Sequence, residues 1–174
     1  MKTYKDALLD ISNNKEIQIY IDTLWLLKHS MKNNLNASDV IIKLLAIENY
    51  FGENDFGFEL YNKMQKIRVL NNPKVPNYRA YNKARFIKII NSFQKEGFNE
   101  KHPIIINNEF MLFEGTHRMA CALYFKIKRI PVTFDERMIN LKTDYSINWF
   151  KKNNLEDYEP HIIKRYKRLL KEWK

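Results

Sequence analysis

The chain has 174 residues, 45% of them hydrophobic and 14% aromatic, which is enough for one packed domain burying roughly 70% of its unfolded surface and too much for a disordered chain. It carries a formal charge of +10 with one cysteine, four glycines and five prolines; the lone Cys121 excludes an intrachain disulfide and a cysteine-based zinc cluster, and so few turn residues favour long helices over a turn-rich sandwich. No segment approaches the roughly 18 uninterrupted apolar residues needed to span a bilayer, and Met1–Asp6 leads into no apolar leader core, so the expected setting is the reducing cytoplasm, away from membranes.

Along the chain, the spacing of Ile17, Tyr20, Ile21, Leu24 and Leu27 predicts an amphipathic helix over residues 16–30. The Asn-rich stretch 31–37 reads as a loop, and Ser38 and Asp39 are candidate N-caps for a helix carrying Val40, Ile41, Leu44, Leu45 and Ile47. A turn at 51–57 leads to a helix from Phe58 to about Lys66 through Leu60, Tyr61 and Met64. Residues 67–70 are short and β-prone, and 71–77 form an extended loop stiffened by Pro73 and Pro76. Residues 83–96 make a helix with Phe86, Ile87, Ile90 and Phe93 on one face, ended by Gly97. Residues 103–106 read as a strand, 107–109 as a hairpin turn and 110–113 as its partner. Thr116 opens a helix to about Phe125, and 130–134 is a third strand, placed at an edge or a strand start by Pro131. Helices over 144–152 and 159–174 close the chain, which shows no internal repeat.

The informative place is Phe113-Glu114-Gly115-Thr116-His117-Arg118. Gly115 permits a tight turn and close approach of a ligand to the backbone. Thr116 can cap the helix, whose first N–H groups lack intrahelical partners and, with the positive end of the helix dipole, suit a phosphate. Arg118 can offer a permanently charged fork to phosphate oxygens, and His117 can donate a hydrogen bond or shuttle a proton. Glu114 can hold Mg²⁺ or accept a proton from a substrate hydroxyl. The competing reading makes Gly115 the end of a hairpin, Thr116 an ordinary cap, and His117 and Arg118 surface residues.

The order of elements around that turn resembles the ParB/sulfiredoxin superfamily. The likeness runs over about residues 67–134, through Asn72-Pro73-Lys74-Val75-Pro76-Asn77-Tyr78-Arg79, the helix ending at Gly97-Phe98, His102-Pro103-Ile104-Ile105-Ile106, the Glu114–Ala122 stretch and Ile130-Pro131-Val132. It implies an α+β fold: a small mixed sheet flanked by helices, with an N-terminal helical extension (1–66), a nucleotide-binding core (67–136) and C-terminal helices packed on the core (137–174). The superfamily holds nucleotide phosphates at this turn; its members include CTP-hydrolysing ParB proteins, sulfiredoxins and free serine kinases. Thr116 stands where sulfiredoxins carry their cysteine, and Thr-His-Arg stands where ParB proteins carry Glu-Arg-Arg. Only two helices fit after Phe134, so neither sulfinic-acid reduction nor a full segregation protein is expected.

The closest motif is that of the serine kinases, acidic-Gly-X-His-Arg. On that resemblance Glu114, His117 and Arg118 carry over as active-site residues, Glu114 as the Mg²⁺ ligand, and Gly115 and Thr116 as backbone phosphate donors. The region from Gly97 to Pro103 would sit beside the nucleotide; Arg79, at the edge of the likeness, is either solvated or adds charge to the phosphate site. The kinases' N-terminal glutamate base has no aligned counterpart here; Glu59 is a candidate on polarity. More loosely, the N-terminal segment resembles bacterial proteins associated with surface-polysaccharide gene clusters. The expectation is a nucleotide-dependent phosphotransferase, using ATP or another nucleotide with Mg²⁺, acting on a small hydroxyl-bearing metabolite. The runner-up is a nucleotide-sensing or DNA-associated module; a nuclease is disfavoured by the lack of clustered carboxylates.

The remaining residues have bland readings. Lys164, Arg165, Lys167, Arg168, Lys171 and Lys174 around Glu172 read as a solvated helix face, with a polyanion patch as the alternative. Arg68 is either solvated or part of the phosphate site. His29 and His161 fall to the surface or to capping, Trp25, Trp149 and Trp173 to core or interface anchoring, and Cys121 to the core. The first 66 residues stay open between a lid, a specificity element and a homodimer interface.

Overall fold

A computed structural model describes residues 19–33, 37–71, 83–107, 109–135 and 147–173. Ile19 and Ile21 alternate with more exposed neighbours and form strand β1 (Ile19–Asp22). The helix expected over 16–30 therefore begins only at Thr23, its first three residues lying outside the described set. The period-2 burial of two β-branched residues against β4 outweighs helical spacing here. Asp22 then starts helix α1 (Thr23–Asn33) by accepting the Trp25 N–H at 2.6 Å.

Helix α2 (Ala37–Tyr50) takes in the end of the expected loop, while α1 runs through its beginning. Asp39 is not a cap, since it lies inside α2, buried and paired with Lys43 one turn on. The turn at 51–57 is present, and Asn54 Oδ1 accepts the N–H groups of Phe56 (3.2 Å) and Gly57 (2.8 Å) to open helix α3 (Gly57–Asn71). Gly57 abuts α2 so closely that a Cβ there would lie 2.0 Å from Leu45 O. Helix α3 continues through residues 67–70, which are not a strand. Leu60, Tyr61 and Met64 anchor it against α2, and tertiary packing of one face sustains the last turn despite its β-branched residues. The boundary drawn at 66/67 thus falls within a helix, and the segment before it supplies a strand of the sheet.

Helix α4 (Lys83–Glu96) buries Phe86, Ile90 and Phe93 and ends at Gly97 (φ 73). Strand β2 (Ile104–Ile106) turns at Asn107, whose Oδ1 accepts the N–H groups of Glu109 and Met111 at 3.0 and 2.8 Å. Phe110 takes φ 60, so strand β3 (Leu112–Glu114) starts two residues later than expected. Helix α5 (Thr116–Tyr124), strand β4 (Arg129–Phe134), helix α6 (Ile147–Lys152), a 3₁₀ turn (Glu156–Tyr158) and helix α7 (Glu159–Glu172) follow.

The four strands lie in the order β1-β4-β2-β3, with β2 and β4 parallel and the other pairs antiparallel. Pro131 is therefore in an inner strand, not at an edge. It is tolerated because pairing with β2 starts at Val132, one residue past the missing N–H. The architecture is α+β, and among the described residues no helix is long and apolar enough to cross a membrane.

Two helices form the centre. In α2 every side chain from Val40 to Ile47 is buried, and in α5 the run Met119–Leu123 is buried, its small residues Ala120, Cys121 and Ala122 letting α2 approach. Helix α7 packs on α2 through charge, not only through Ile162 and Leu169. Arg165 is buried and sets its Nε 2.5 Å from Glu48 Oε1, and Arg168 joins the same carboxylate. Arg165 is thus not part of a solvated face, whereas Arg168 is half exposed beside Glu48 and Lys164, Lys167 and Lys171 are exposed.

Candidate functional site

Gly115 sits at φ 96 as the N-cap of α5, and no side chain caps the helix. Thr116 is the first helical residue, not the cap. The N–H groups of Thr116, His117 and Arg118 are therefore left without intrahelical partners, at the positive end of the helix dipole. Gly115 is needed twice over. Its φ lies in the left-handed region, and a Cβ would come 3.1 Å from Arg118 Nη2 and 3.2 Å from Ile104 Cγ1. The guanidinium folds back over the glycine because Nη1 donates to the His102 carbonyl at the entry to β2. Burial, with Arg85 adding and Glu114 opposing, lowers the pKa of Arg118, though a guanidinium keeps its charge.

His117 is held from the other side. Its Nε2 shares a 2.9 Å hydrogen bond with the Tyr61 hydroxyl, and its ring meets Phe86 edge-on at 4.5 Å. Burial first, then the Lys43 charge with Arg68 and Arg85 adding, holds the imidazole well below its ordinary 6.5; Asp39 opposes. A neutral ring locked by a phenol is a positioned hydrogen-bonding group, which favours the first of its two expected roles over proton shuttling. Burial, then Asp39, pushes the Tyr61 hydroxyl up, so it stays protonated.

Behind the turn lies a pair that sequence reasoning did not connect to it. Lys43, with its side chain fully buried, pairs with Asp39 and donates from Nζ to Thr116 Oγ1 at 2.9 Å. Burial pushes its pKa down to about 8, Arg68 adding and Asp39 opposing. Burial would raise Asp39, but Lys43, Arg68 and His117 outweigh it and the carboxyl ends below its ordinary value. Asp39 Oδ1 has no hydrogen-bond partner among the described residues. The signal was present as two charges four residues apart, Lys43 standing alone within the otherwise apolar run Val40–Ile47.

The turn opens onto a cavity of about 620 Å³, within the usual size of small-molecule sites. Its lining includes the apolar and aromatic Tyr61, Phe86, Ile89 and Phe93, the charged Arg85, Lys88 and Arg118, and the polar Ser92, Asn99 and His102. Arg85, Lys88 and Ser92 come from one stripe of α4 at helical spacing, beside the buried Phe86 and Phe93. Glu114, Gly115, His117 and Arg118 all line the cavity, so the structure gathers the expected motif. Thr116 sits behind it on Lys43. Arg68 acts electrostatically on Asp39, Lys43 and His117.

Other candidates fall elsewhere. Glu59 does not line the cavity. It lies two residues, about 200° of helix, from Tyr61, exposed and held by Lys63 at 2.6 Å and by the Tyr158 hydroxyl at 3.1 Å. Lys63 first, then Tyr158, holds its carboxyl below the ordinary range, which is the wrong direction for a base. Gly97 and Pro103 are not among the lining residues, although Asn99 and His102 between them are. Arg79 and the loop 72–77 lie outside the described residues.

No group of three or more His, Cys, Asp or Glu that could hold a metal is found among the described residues. Glu114 is the single carboxylate among those lining the cavity. That matches the way Mg²⁺ is commonly held, by one or two carboxylates together with substrate phosphates. His29 stacks on Trp25 at 5.1 Å and hydrogen-bonds the Glu109 carbonyl at 2.8 Å. His161 packs on Phe56 at 4.6 Å, and Trp149 and Trp173 pack against the core. Cys121 is buried, its thiol pushed up to about 12 by burial.

Comparison with protein-family models, with curated proteins and with solved structures gave no match to this chain.

Proposed function

We propose that the chain is a nucleotide-dependent phosphotransferase of the ParB/sulfiredoxin-like type, acting in the cytoplasm on a small hydroxyl-bearing metabolite. The observation that supports this reading is the Glu114–Arg118 turn opening, uncapped, onto a cavity lined by both cationic and aromatic side chains. ATP or another nucleotide would lay its phosphates on the α5 N–H groups and against Arg118, Arg85 and Lys88, and its base along Phe86 and Phe93. Glu114 would hold Mg²⁺, which when bound neutralises phosphate charge. Arg118, fixed by the His102 carbonyl, is placed to meet charge as it builds on the transferring group without having to reorganise. His117, neutral and braced by Tyr61, orients a phosphate oxygen or the acceptor hydroxyl by hydrogen bonding. A surface-polysaccharide building block is one acceptor class to screen.

The test is a thermal-shift panel of ATP, ADP, CTP and GTP with Mg²⁺ on the wild type and on Arg118→Ala. A ligand at a hundredfold excess over Kd should stabilise the wild type by about 2.7 kcal/mol. The expected result is a shift with one nucleotide that vanishes in the variant, followed by phosphate transfer to a hydroxyl acceptor. No shift with any of the four would sink the reading.

A second reading, a DNA-associated module, keeps one observation in its favour: Lys164, Lys167 and Lys171 are exposed along one stripe of α7. It loses Arg165 and Arg168, whose charges are met by Glu48 and Glu172. A salt-dependent gel shift with duplex DNA at physiological ionic strength would restore it.

A further inference from the structure

Lys43 is the largest fully buried side chain among the described residues, and it stands in a run, Val40–Ile47, whose other members are apolar and buried. Packing does not call for a charge there. Replacing a buried ion pair by apolar residues of similar volume is often neutral or stabilising, so stability is a weak reason for the Asp39–Lys43 pair. What distinguishes the pair is its address. The Lys43 ammonium reaches Thr116 Oγ1 at 2.9 Å, on the first residue of the helix whose N–H groups face the cavity.

The groups acting around Lys43 among the described residues are few. Asp39 lies on its own helix, Arg68 with the Tyr61 hydroxyl on α3, and Thr116 with His117 on α5. Arg85 of α4 acts on His117 and Tyr61, while Arg165 and Arg168 of α7 are engaged by Glu48 further along α2. Asp39 keeps one oxygen without a hydrogen-bond partner among the described residues, while the Lys43 ammonium is shared between Asp39 Oδ2 and the turn.

We infer that Lys43, acting through Thr116, is a positioning residue of the α5 turn. It fixes the first residue of the helix and places a buried positive charge behind the N–H groups that receive phosphate oxygens. This rests on the nucleotide reading above, because it assigns the Lys43 charge to the same phosphate site.

The probe is inorganic tripolyphosphate, which carries the phosphate chain that nucleoside triphosphates share, titrated calorimetrically into the full chain. The proteins are the wild type, Asp39→Leu/Lys43→Met, Thr116→Val and Arg118→Ala. The double variant should melt at or above the wild type yet bind tripolyphosphate at least about tenfold more weakly, the scale expected for losing one nearby charge in a low-dielectric site. Thr116→Val should lose part of that affinity and add nothing further in the double-variant background, since both act through one contact. The ratio of wild-type to double-variant affinity should narrow between pH 7 and pH 9, as Lys43 gives up its proton near pH 8. A purely structural pair would leave affinity and this pH profile unmoved.

Binding by the double variant within twofold of the wild type, with Arg118→Ala still abolishing it, would overturn the role of Lys43 and leave the nucleotide reading standing. A wild type that binds neither tripolyphosphate nor any of the four nucleotides would overturn both. Should the double variant fail to fold, Thr116→Val decides: weakened binding supports the assignment, and unchanged binding ends it.

Discussion

At its C-terminal end α2 meets α7 through Glu48, whose carboxylate is shared by Arg165 and Arg168, while Glu172 closes the set at 3.3 and 3.1 Å. Earlier on the same helix, Asp39 and Lys43 are just as deeply buried. Each cluster leaves one buried atom without a hydrogen-bond partner, Arg165 Nε and Asp39 Oδ1, but the second also sends its ammonium out to Thr116. The first cluster answers charge with charge and joins two helices. The second makes a contact aimed at the turn beside the cavity. Buried charge is costly in both places. In the first the charges join two helices, and in the second the ammonium is shared between Asp39 and the turn beside the cavity.

If the C-terminal joint is structural, breaking it should act on stability alone. The largest effect is expected at Gly57, where a Cβ would sit 2.0 Å from Leu45 O and 2.5 Å from its carbonyl carbon. Neither atom can rotate away, so Gly57→Ala should cost more than about 3 kcal/mol as α3 is forced off α2. Glu48→Leu comes next. It strips the buried Arg165 of its main partner but leaves Glu172, and the cost should be about 3 kcal/mol, the low end for a broken buried pair. Urea unfolding measures both. Any nucleotide binding that survives in the folded fraction should keep its wild-type affinity; a large loss of affinity in Glu48→Leu would erase the distinction between the two ends of α2.

The opposite pattern is expected at the turn. In Gly115→Ala the new methyl meets φ 96 and the Arg118 guanidinium at 3.1 Å, for a cost of about 1–3 kcal/mol. The damage should fall mainly on binding, because Arg118 must leave the position that His102 gives it. Calorimetric titration with the nucleotide that shifts the wild type, set beside a melting curve, separates the two effects. A variant that binds normally would mean that the phosphate site does not need this backbone.

Much of this contrast was legible before the coordinates. The glycine turn, the helix behind it and the neighbouring strands come from local signals: a left-handed position, a helix-period stripe, and runs of isoleucine and valine. What failed was decided by distant partners. Ile19–Asp22 became a strand because β4 offers an open edge, and residues 67–70 stayed helical because α3 is pinned to α2. Pro131 was tolerated inside the sheet because of where β2 begins. Sequence placed Asp39 at a cap because caps are common for aspartate. Lys43 is its partner one turn along the same helix, but only the packing of α5 on α2 makes Thr116 their neighbour, across 73 residues of chain. Likewise Arg165 read as solvated until Glu48, from another helix, met it.

The smallest expected effect, and the one most diagnostic of the difference between the ends of α2, is the pH dependence of stability. His117 is held well below its ordinary 6.5, so the unfolded chain takes up a proton there while the native state does not. That contribution is complete above pH 6.5 and is lost as the pH falls, and His117→Gln should flatten the acid slope. Lys43 works on the alkaline side. The native state gives up its proton near 8 and the unfolded chain near 10.5, so between them the native state holds fewer protons and stability rises with pH. Cys121 opposes this above pH 9, because its thiol, pushed up to about 12, keeps a proton that the unfolded chain loses. The clean window is therefore pH 8 to 9, and Glu48, displaced upward by burial from 4.5 with Arg165 and Arg168 opposing, should contribute little there. Across that window the wild type should gain at most about 1.4 kcal/mol per pH unit relative to Asp39→Leu/Lys43→Met, the linkage limit for one proton. Parallel stability curves for the two proteins would mean that Lys43 keeps its proton throughout, and the Asp39–Lys43 pair would then be as closed on itself as the one around Glu48.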